Sequence, residues 1–251
     1  MIYITGDTHG DFRRFSAENF PEQKAMDKGD FVIICGDFGG VWNNSREERY
    51  WLDWLEDKPF TTLFVSGNHE NYDLLSQYPI QQWNGGKVQA IRPSIYHLMR
   101  GQVFELTEKK FFTMGGASSH DITDGILDPS APDYRARKKR LDTRRALYRI
   151  NHISWWEDEL PGEADYTEAE RNLNQCGRRV DYIVSHCCPS SLVDILGQGM
   201  YQHDRLTDYF ESLKNNIQFR YWFFGHYHDN LVLQQKYVLL YEQIMPLRPP
   251  Q

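Results

Sequence analysis

Three short apolar runs, Met1 to Thr5, Phe31 to Cys35 and Thr62 to Ser66, each end in a polar turn containing glycine: Gly6-Asp7, Gly36-Asp37 and Gly67-Asn68. Runs of this length bounded by turn residues predict buried strands followed by loops. Between the second and third, Arg46 to Glu56 brings Tyr50, Trp51, Trp54 and Leu55 onto one face at helical spacing. The alternation reads βαβαβ, so these strands are expected to be parallel and joined by right-handed crossovers.

The pattern changes from Lys87 to Met114. Four short runs, Lys87 to Ile91, Ser94 to Met99, Gln102 to Leu106 and Lys110 to Met114, are separated by turns such as Arg100-Gly101 and Thr107-Glu108. This spacing predicts an antiparallel meander, forming a second sheet or a sheet edge. The stretch from Asp121 to Glu163 is rich in charge, Pro and Trp and has no clear period; it reads as a long excursion with some helix, a place where function tends to reside. A helix is expected around Glu168 to Cys176, then buried strands at Val180 to Ser185 and Arg220 to Phe224. A closing hairpin is expected from Leu231 to Leu233 and Tyr237 to Tyr241, then a frayed Pro-rich tail.

Composition adds limits. The 251 residues are 40% hydrophobic and 25% charged, as in an ordinary globular protein, and nothing marks a linker, so one domain over 1–251 is expected. A formal charge of −7 disfavours unspecific adhesion to nucleic acid or anionic membrane. No apolar stretch approaches a membrane span and no leader-like segment precedes Ile2. Four cysteines, Cys35, Cys176, Cys187 and Cys188, form no Cys-x-x-Cys pair, which fits a reducing cytoplasm.

The predicted strand ends carry Asp7 and His9, Asp37, Asn68 and His69, His186, and His226 with His228. In open α/β sheets, ligands collect outside the carboxyl ends of strands, so these residues can converge. Carboxylate, amide and imidazole donors together suit Mn, Fe, Co, Ni or Zn. They are too many for one ion, and a carboxylate can bridge, so a pair of divalent cations is the simplest reading. The small residues beside the ligands let the backbone turn sharply and leave room for substrate.

The ordered set Asp7-Thr8-His9, Gly36-Asp37, Gly67-Asn68-His69-Glu70, His186 and Gly225-His226-Tyr227-His228 resembles the signature of the calcineurin-like metallophosphoesterases over nearly the whole chain. The resemblance implies an α/β fold, a layered α/β/β/α sandwich of two mixed sheets flanked by helices. It implies that Asp7, His9 and His228 hold one metal, that Asn68, His186 and His226 hold the other, and that Asp37 bridges them. His69 is implied to contact the phosphate and to protonate or stabilise the departing oxygen, and a hydroxide shared by the ions is the implied nucleophile. Members similar to protein Ser/Thr phosphatases follow Gly-Asp with a segment containing Asp-Arg, whereas Gly36-Asp37 continues here as Phe38-Gly39-Gly40-Val41. The resemblance therefore points to the broader prokaryotic members, whose diversity leaves the substrate open between phosphomonoester and phosphodiester; a small molecule or nucleotide is expected in preference to nucleic acid, since the acidic balance disfavours the latter.

Each motif residue also has a plain structural reading as a cap or turn former. His203 is a rival to His186. His97 reads as structural, and His152, near Trp155 and Trp156, as a stacking residue. His120-Asp121 follows the small-residue segment Gly115 to Ser119 and is a candidate substrate contact. Cys187 and Cys188 read as buried thiols, not ligands. The basic run Arg135 to Arg140, continued by Arg144, Arg145 and Arg149, reads as a solvated helix face; the alternative is a cleft rim that attracts phosphate, with Arg137 as the candidate contact. Two rivals to a metal-dependent hydrolase of small esters follow: a metal-binding scaffold without catalysis, and a nuclease using the basic run.

Overall fold

The computed structural model describes residues 1–247; the Pro-rich tail lies outside the described residues, apart from Pro246 and Leu247. In chain order the elements are β1 (Ile2–Thr5), two short 3-10 turns, β2 (Phe31–Ile34), α1 (Arg46–Glu56), β3 (Thr61–Phe64), α2 (Tyr72–Leu75), β4 (Ile80–Trp83), β5 (Gly86–Arg92) and β6 (Ile95–Leu98). Then follow β7 (Gln102–Leu106), β8 (Lys109–Met114), β9 (Ile126–Leu127), α3 (Tyr134–Thr143), β10 (Arg149–Ile150) and α4 (Glu163–Gln175). The chain continues with β11 (Tyr182–Ser185), α5 (Ser190–Gly197), α6 (Arg205–Asn216), β12 (Tyr221–Phe224), β13 (Leu231–Leu233), β14 (Tyr237–Leu239) and β15 (Met245–Pro246).

One sheet has the strand order β15-β1-β2-β3-β6-β5-β4 and a second has β13-β14-β12-β11-β8-β7. Strands β1, β2, β3 and β6 are mutually parallel, as are β8, β11, β12 and β14. The period-two alternation of side chains sorts the core into layers. Ile2, Ile4, Ile33 and Leu63 point inward against Phe111, Tyr182, Val184 and Phe223 of the facing sheet. Tyr3, Val32, Ile34 and Phe64 point outward against Leu52 and Leu55 of α1 and against Phe12, Phe15 and Phe20. On the other flank, Phe112, Ile183 and Trp222 pack against Leu173 of α4, Leu192 of α5 and Phe210 of α6. The expected α/β/β/α layering is what the chain forms.

Helix α1 matches its predicted bounds because its signals are local: Ser45 Oγ accepts a hydrogen bond from Glu48 N at 3.1 Å, and Leu52 and Leu55 supply the buried stripe. Two expectations need correction. The runs from Lys87 to Met114 are not one meander: β5 and β6 pair antiparallel in the first sheet, and β7 and β8 in the second. The polypeptide passes between sheets at Met99 to Gly101, a choice made by contacts distant in sequence. The helix expected from Glu168 begins at Glu163, since its buried face, Tyr166, Ala169 and Leu173, starts earlier. Helices α5 and α6, not anticipated, cover the second sheet. The excursion holds α3 and the small parallel pair β9 and β10.

His97 is structural, as expected. It is buried, stacks on Phe64 with centroids 5.1 Å apart, and donates from Nδ1 to Gln89 Oε1 at 2.7 Å. Burial, with a smaller push from Arg100, drives its pKa down from 6.5 to about 3. Between those values the unfolded chain binds a proton that the folded chain refuses, so this contribution to stability is present above pH 6.5 and is lost as the pH falls toward 3. The loss should approach ~1.4 kcal/mol per pH unit within that window. Urea unfolding from pH 7 to pH 4 should therefore show a steeper decline for the parent than for His97→Gln. Identical slopes would assign the acid sensitivity elsewhere.

Candidate metal centre

The parallel strands of both sheets end at the same edge of the sandwich. Asp7, Asp37 and Asn68 leave β1, β2 and β3, while His186 and His226 leave β11 and β12, and backbone bonds tie the two sets together. Within the second set Gly225 N donates to His186 O at 2.9 Å, and between the sheets Gly116 N donates to Ser66 O at 2.7 Å. Across the sheets, His226 N donates to Asp7 Oδ1 at 3.0 Å, and on the first sheet His69 N donates to Asp37 Oδ1 at 2.7 Å.

Asp7 and Asp37 are buried, and among the described residues neither pairs with a lysine or arginine side chain. Their neighbours are imidazoles. His228 Nε2 lies 3.1 Å and His9 Nε2 3.7 Å from Asp7 Oδ2, and the two nitrogens are 3.1 Å from each other. His186 Nε2 lies 3.3 Å from both Asp37 Oδ1 and Asn68 Oδ1, while its Nδ1–H donates to Cys35 O at 2.7 Å. That bond directs Nε2 into the site. His9 Nε2 also stands 3.8 Å from Asp37 Oδ2. Asp7 thus belongs to two groups able to hold a cation, one with His9 and His228, the other with Asp37 and His186. The His226 ring meets that of His186 edge-on, centroids 4.9 Å apart.

The electrostatics follow from this crowding. Burial opposes the Asp37 charge, but His186, by charge and by hydrogen bond, holds its pKa below the carboxylate range. Burial likewise opposes protonation of His186, yet Asp37 and Asp7 raise it to about 9. Burial lowers His226 and His9, whereas the hydrogen bond to Asp7 raises His228. Two buried carboxylates this close together are costly unless cations offset them. Converging oxygen and nitrogen donors at this density fit divalent transition-metal ions, which would displace the histidine protons.

Glycines make the crowding feasible. A Cβ on Gly67 would overlap Asp37 Oδ1, and one on Gly225 would overlap Asp7 Oδ1. The space these residues leave is therefore filled by carboxylates of neighbouring loops, not by substrate as the sequence suggested. His9, Asp37, His226 and His228 all adopt left-handed backbone conformations, with φ of 47°, 46°, 71° and 49°. Non-glycine residues held there carry strain of roughly 1–3 kcal/mol each, and such strain clusters at functional sites.

Supporting residues were harder to foresee. Buried Glu70 accepts from Phe38 N at 2.8 Å and ties the Asp37 and His69 loops together; burial, then Asp37, raises its pKa to about 8. Arg14 donates to the backbone oxygens of Asp7 and Tyr241, both at 2.6 Å, beneath the first loop. Glu159 accepts from Ser119 N and Oγ at 2.8 and 2.7 Å, and Ser119 Oγ in turn accepts from Asn68 Nδ2 at 3.4 Å. Only Glu70 lay inside a recognisable motif.

His69 borders the cluster, its ring 5.3 Å from that of His9. Burial lowers its pKa, Asp37 opposes this, and Arg149 adds to it. Arg149 Nη2 is 3.4 Å from His69 Nε2; its guanidinium is held by Asp121 at 2.7 Å and donates to Ser154 O at 3.1 Å. Of the basic run, then, Arg149 reaches the cluster. Arg137 sits half-buried on α3 and has no hydrogen bond or ion pair to the cluster among the described residues. His120 stands at the rim, its ring 4.5 Å from His226 and 4.3 Å from Tyr201. His203 pairs with Asp194 at 2.8 Å, and His152 pairs with Asp73 at 2.9 Å in place of the expected stacking. Cys187 and Cys188 are buried thiols whose pKa values burial raises.

A family model described as calcineurin-like phosphoesterase matches residues 1–230. The chain belongs to that family. The ordered motifs that first suggested this family are the segments just described. Its relatives include lariat debranching enzyme A of Xenopus laevis, 23% identical over 255 residues, covering 90% of this chain and 42% of that protein. Human lariat debranching enzyme is 22% identical over 207 residues, covering 76% of this chain and 33% of that protein. The chain thus spans less than half the length of these relatives. A solved phosphopantetheinyl hydrolase from Mycobacterium tuberculosis aligns over 96% of this chain and 89% of its own with 15% identity and a TM-score of 0.41.

Proposed function

We propose that the chain is a two-metal phosphodiesterase acting on a nucleotide-type diester. The observation that carries this reading is the pair of buried carboxylates, Asp7 and Asp37, surrounded by imidazoles and in no ion pair with a lysine or arginine among the described residues. In the assignment that the family resemblance gives, Asp7, His9 and His228 would hold one ion, Asn68, His186 and His226 the other, and Asp37 would bridge; the distances among Asp7, His9, His228, Asp37, His186 and Asn68 support it. Manganese, iron, zinc, cobalt and nickel all suit this donor set. Such ions supply Lewis-acid polarisation of phosphoryl oxygens and a nucleophile at neutral pH.

The remaining residues orient the ester. Arg149 offers a fixed cation beside His69, and His69 is placed to protonate or hydrogen-bond the departing oxygen. Asp121 offsets part of the Arg149 charge, so Arg149 adds less pull for a second phosphate charge than an unpaired guanidinium would. The debranching relatives add weight to a nucleic acid or nucleotide substrate, more than composition alone suggested. Neither Arg137 nor His120 is needed for this reading; His120 at the rim is a candidate contact to the ester's far side.

Metal-stripped protein should recover activity with about two equivalents of Mn²⁺ and should turn over bis(4-nitrophenyl) phosphate faster than 4-nitrophenyl phosphate. Elemental analysis and steady-state rates measure both. A single ion at saturation would overturn the metal pair, and faster monoester turnover would overturn the diester preference.

A further inference from the structure

Beside the metal centre lies a cavity of about 320 Å³, whose walls include His9, His69, Trp42, Trp51, Asn43 and Glu47. A much larger cavity, about 1170 Å³, opens near Met1 and Leu247, and none of the candidate ligands lines it. We propose that the smaller cavity is a nucleobase subsite, which seats the ring adjoining the ester while the phosphate lies at the carboxylate and histidine cluster. The inference rests on the phosphodiesterase reading and names the substrate class.

Its size is at the low end for small-molecule pockets, enough for one ring system. Its walls are aromatic and acidic. Trp42 and Trp51 both line it, and indole faces stack on bases of any sequence. No lysine or arginine lines it, so it does not attract a second phosphate. Glu47 has no ion-pair partner among the described residues, and its carboxylate suits the amino and imino N–H groups of a base.

The wall bearing Trp42 is held in place. Glu48 accepts from the backbone nitrogens of Trp42, Asn43 and Asn44 at 2.9, 2.7 and 3.1 Å, and Asn71 Nδ2 donates to Trp42 O at 2.7 Å. The Trp42 ring packs edge-on against buried Trp156, centroids 5.5 Å apart. A platform fixed in this way costs little ordering on binding. His9 and His69 form the wall shared with the cluster, so a base in the cavity and a phosphate at the metals are adjacent.

Two measurements test the subsite. The first is the ratio of kcat/KM for the 4-nitrophenyl ester of thymidine 5′-monophosphate to that for methyl 4-nitrophenyl phosphate. Trp42→Ala should lower this ratio by between about 5- and 100-fold, the range of base stacking on an aromatic side chain, and Trp42→Phe should restore part of it. The second is quenching of tryptophan fluorescence by adenosine 5′-monophosphate in metal-free protein, which should saturate in the parent and weaken in Trp42→Ala. Thermal melting verifies that the variants fold, and Trp51→Phe provides an independent probe if Trp42→Ala does not. An unchanged ratio with unchanged quenching overturns the subsite. Saturable quenching that depends on Trp42, with no turnover of either ester, would sustain the subsite and overturn the hydrolase reading instead.

Discussion

Asp37→Ala is expected to lose at least one metal ion and to lower kcat/KM by about 10³-fold or more, because loss of metal-based charge stabilisation is worth several kcal/mol. Its carboxylate is the joint of the site: one oxygen accepts from His69 N at 2.7 Å and faces His186 Nε2 at 3.3 Å, while the other faces His9 Nε2 at 3.8 Å. Its backbone oxygen accepts from Thr8 N and His9 N at 3.1 and 2.8 Å and would survive the substitution. Asp37→Asn separates charge from shape, since the amide oxygen can still accept from His69 N. If Asp37 bridges two ions, the asparagine variant should melt near the parent in metal-free buffer yet bind fewer ions and turn over slowly. Retention of both ions with more than about a tenth of the activity would exclude the bridging role.

His69→Ala should behave differently, keeping both ions while losing activity in proportion to how poor the leaving group is. A positioned general acid contributes on the order of 10²–10⁴-fold when the departing alkoxide needs a proton, and little when a nitrophenolate departs unaided. His69 follows Asn68 directly and, like His226, lies outside the two residue groups able to hold a cation; the family resemblance gives His226 the ligand role and His69 the acid role. Its ring neighbours are His9 and Arg149. Rates on an alkyl and a nitrophenyl diester, with metal content measured on the same samples, decide the matter. Equal slowing of both esters would make His69 a phosphate clamp, and a lost ion would make it a ligand. Arg149→Gln is the companion variant: it should weaken inhibition by inorganic phosphate without lowering metal content, because Arg149 faces His69 and Asp121 and no candidate ligand.

The legible part of the site was the part written locally. Each candidate ligand follows a short apolar run, and a strand running into Gly-Asp or Gly-Asn-His can be read from a few neighbours. The same holds for α1, whose Ser45 cap and buried Leu52 and Leu55 lie within one segment. Arg149 was visible only as the last member of a basic run, while Arg137, nearer the centre of that run, drew attention by charge density alone. Glu159 carried no signal, since its value comes from Ser119, forty residues away in sequence. The division of the runs from Lys87 to Met114 between two sheets escaped the pattern for the same reason: hairpin signals specify which strands turn back, not which sheet they join.

By itself, then, the amino-acid order determined the strand ends, the donor types gathered there and the ordered motifs, because these depend on hydrophobic period and on residue identity at fixed offsets; the layered α/β architecture came only with the family resemblance those motifs carry. Tertiary structure decided what occupies the space between the loops. It placed Asp37 against the glycine of a neighbouring strand end, turned His186 by its bond to Cys35, and brought Arg149 from the excursion to His69. It also joined Trp42 and Trp51 into one wall beside the cluster. Apart from Trp42 and Trp51, such contacts join residues tens of positions apart or more, and packing, not local periodicity, selects them.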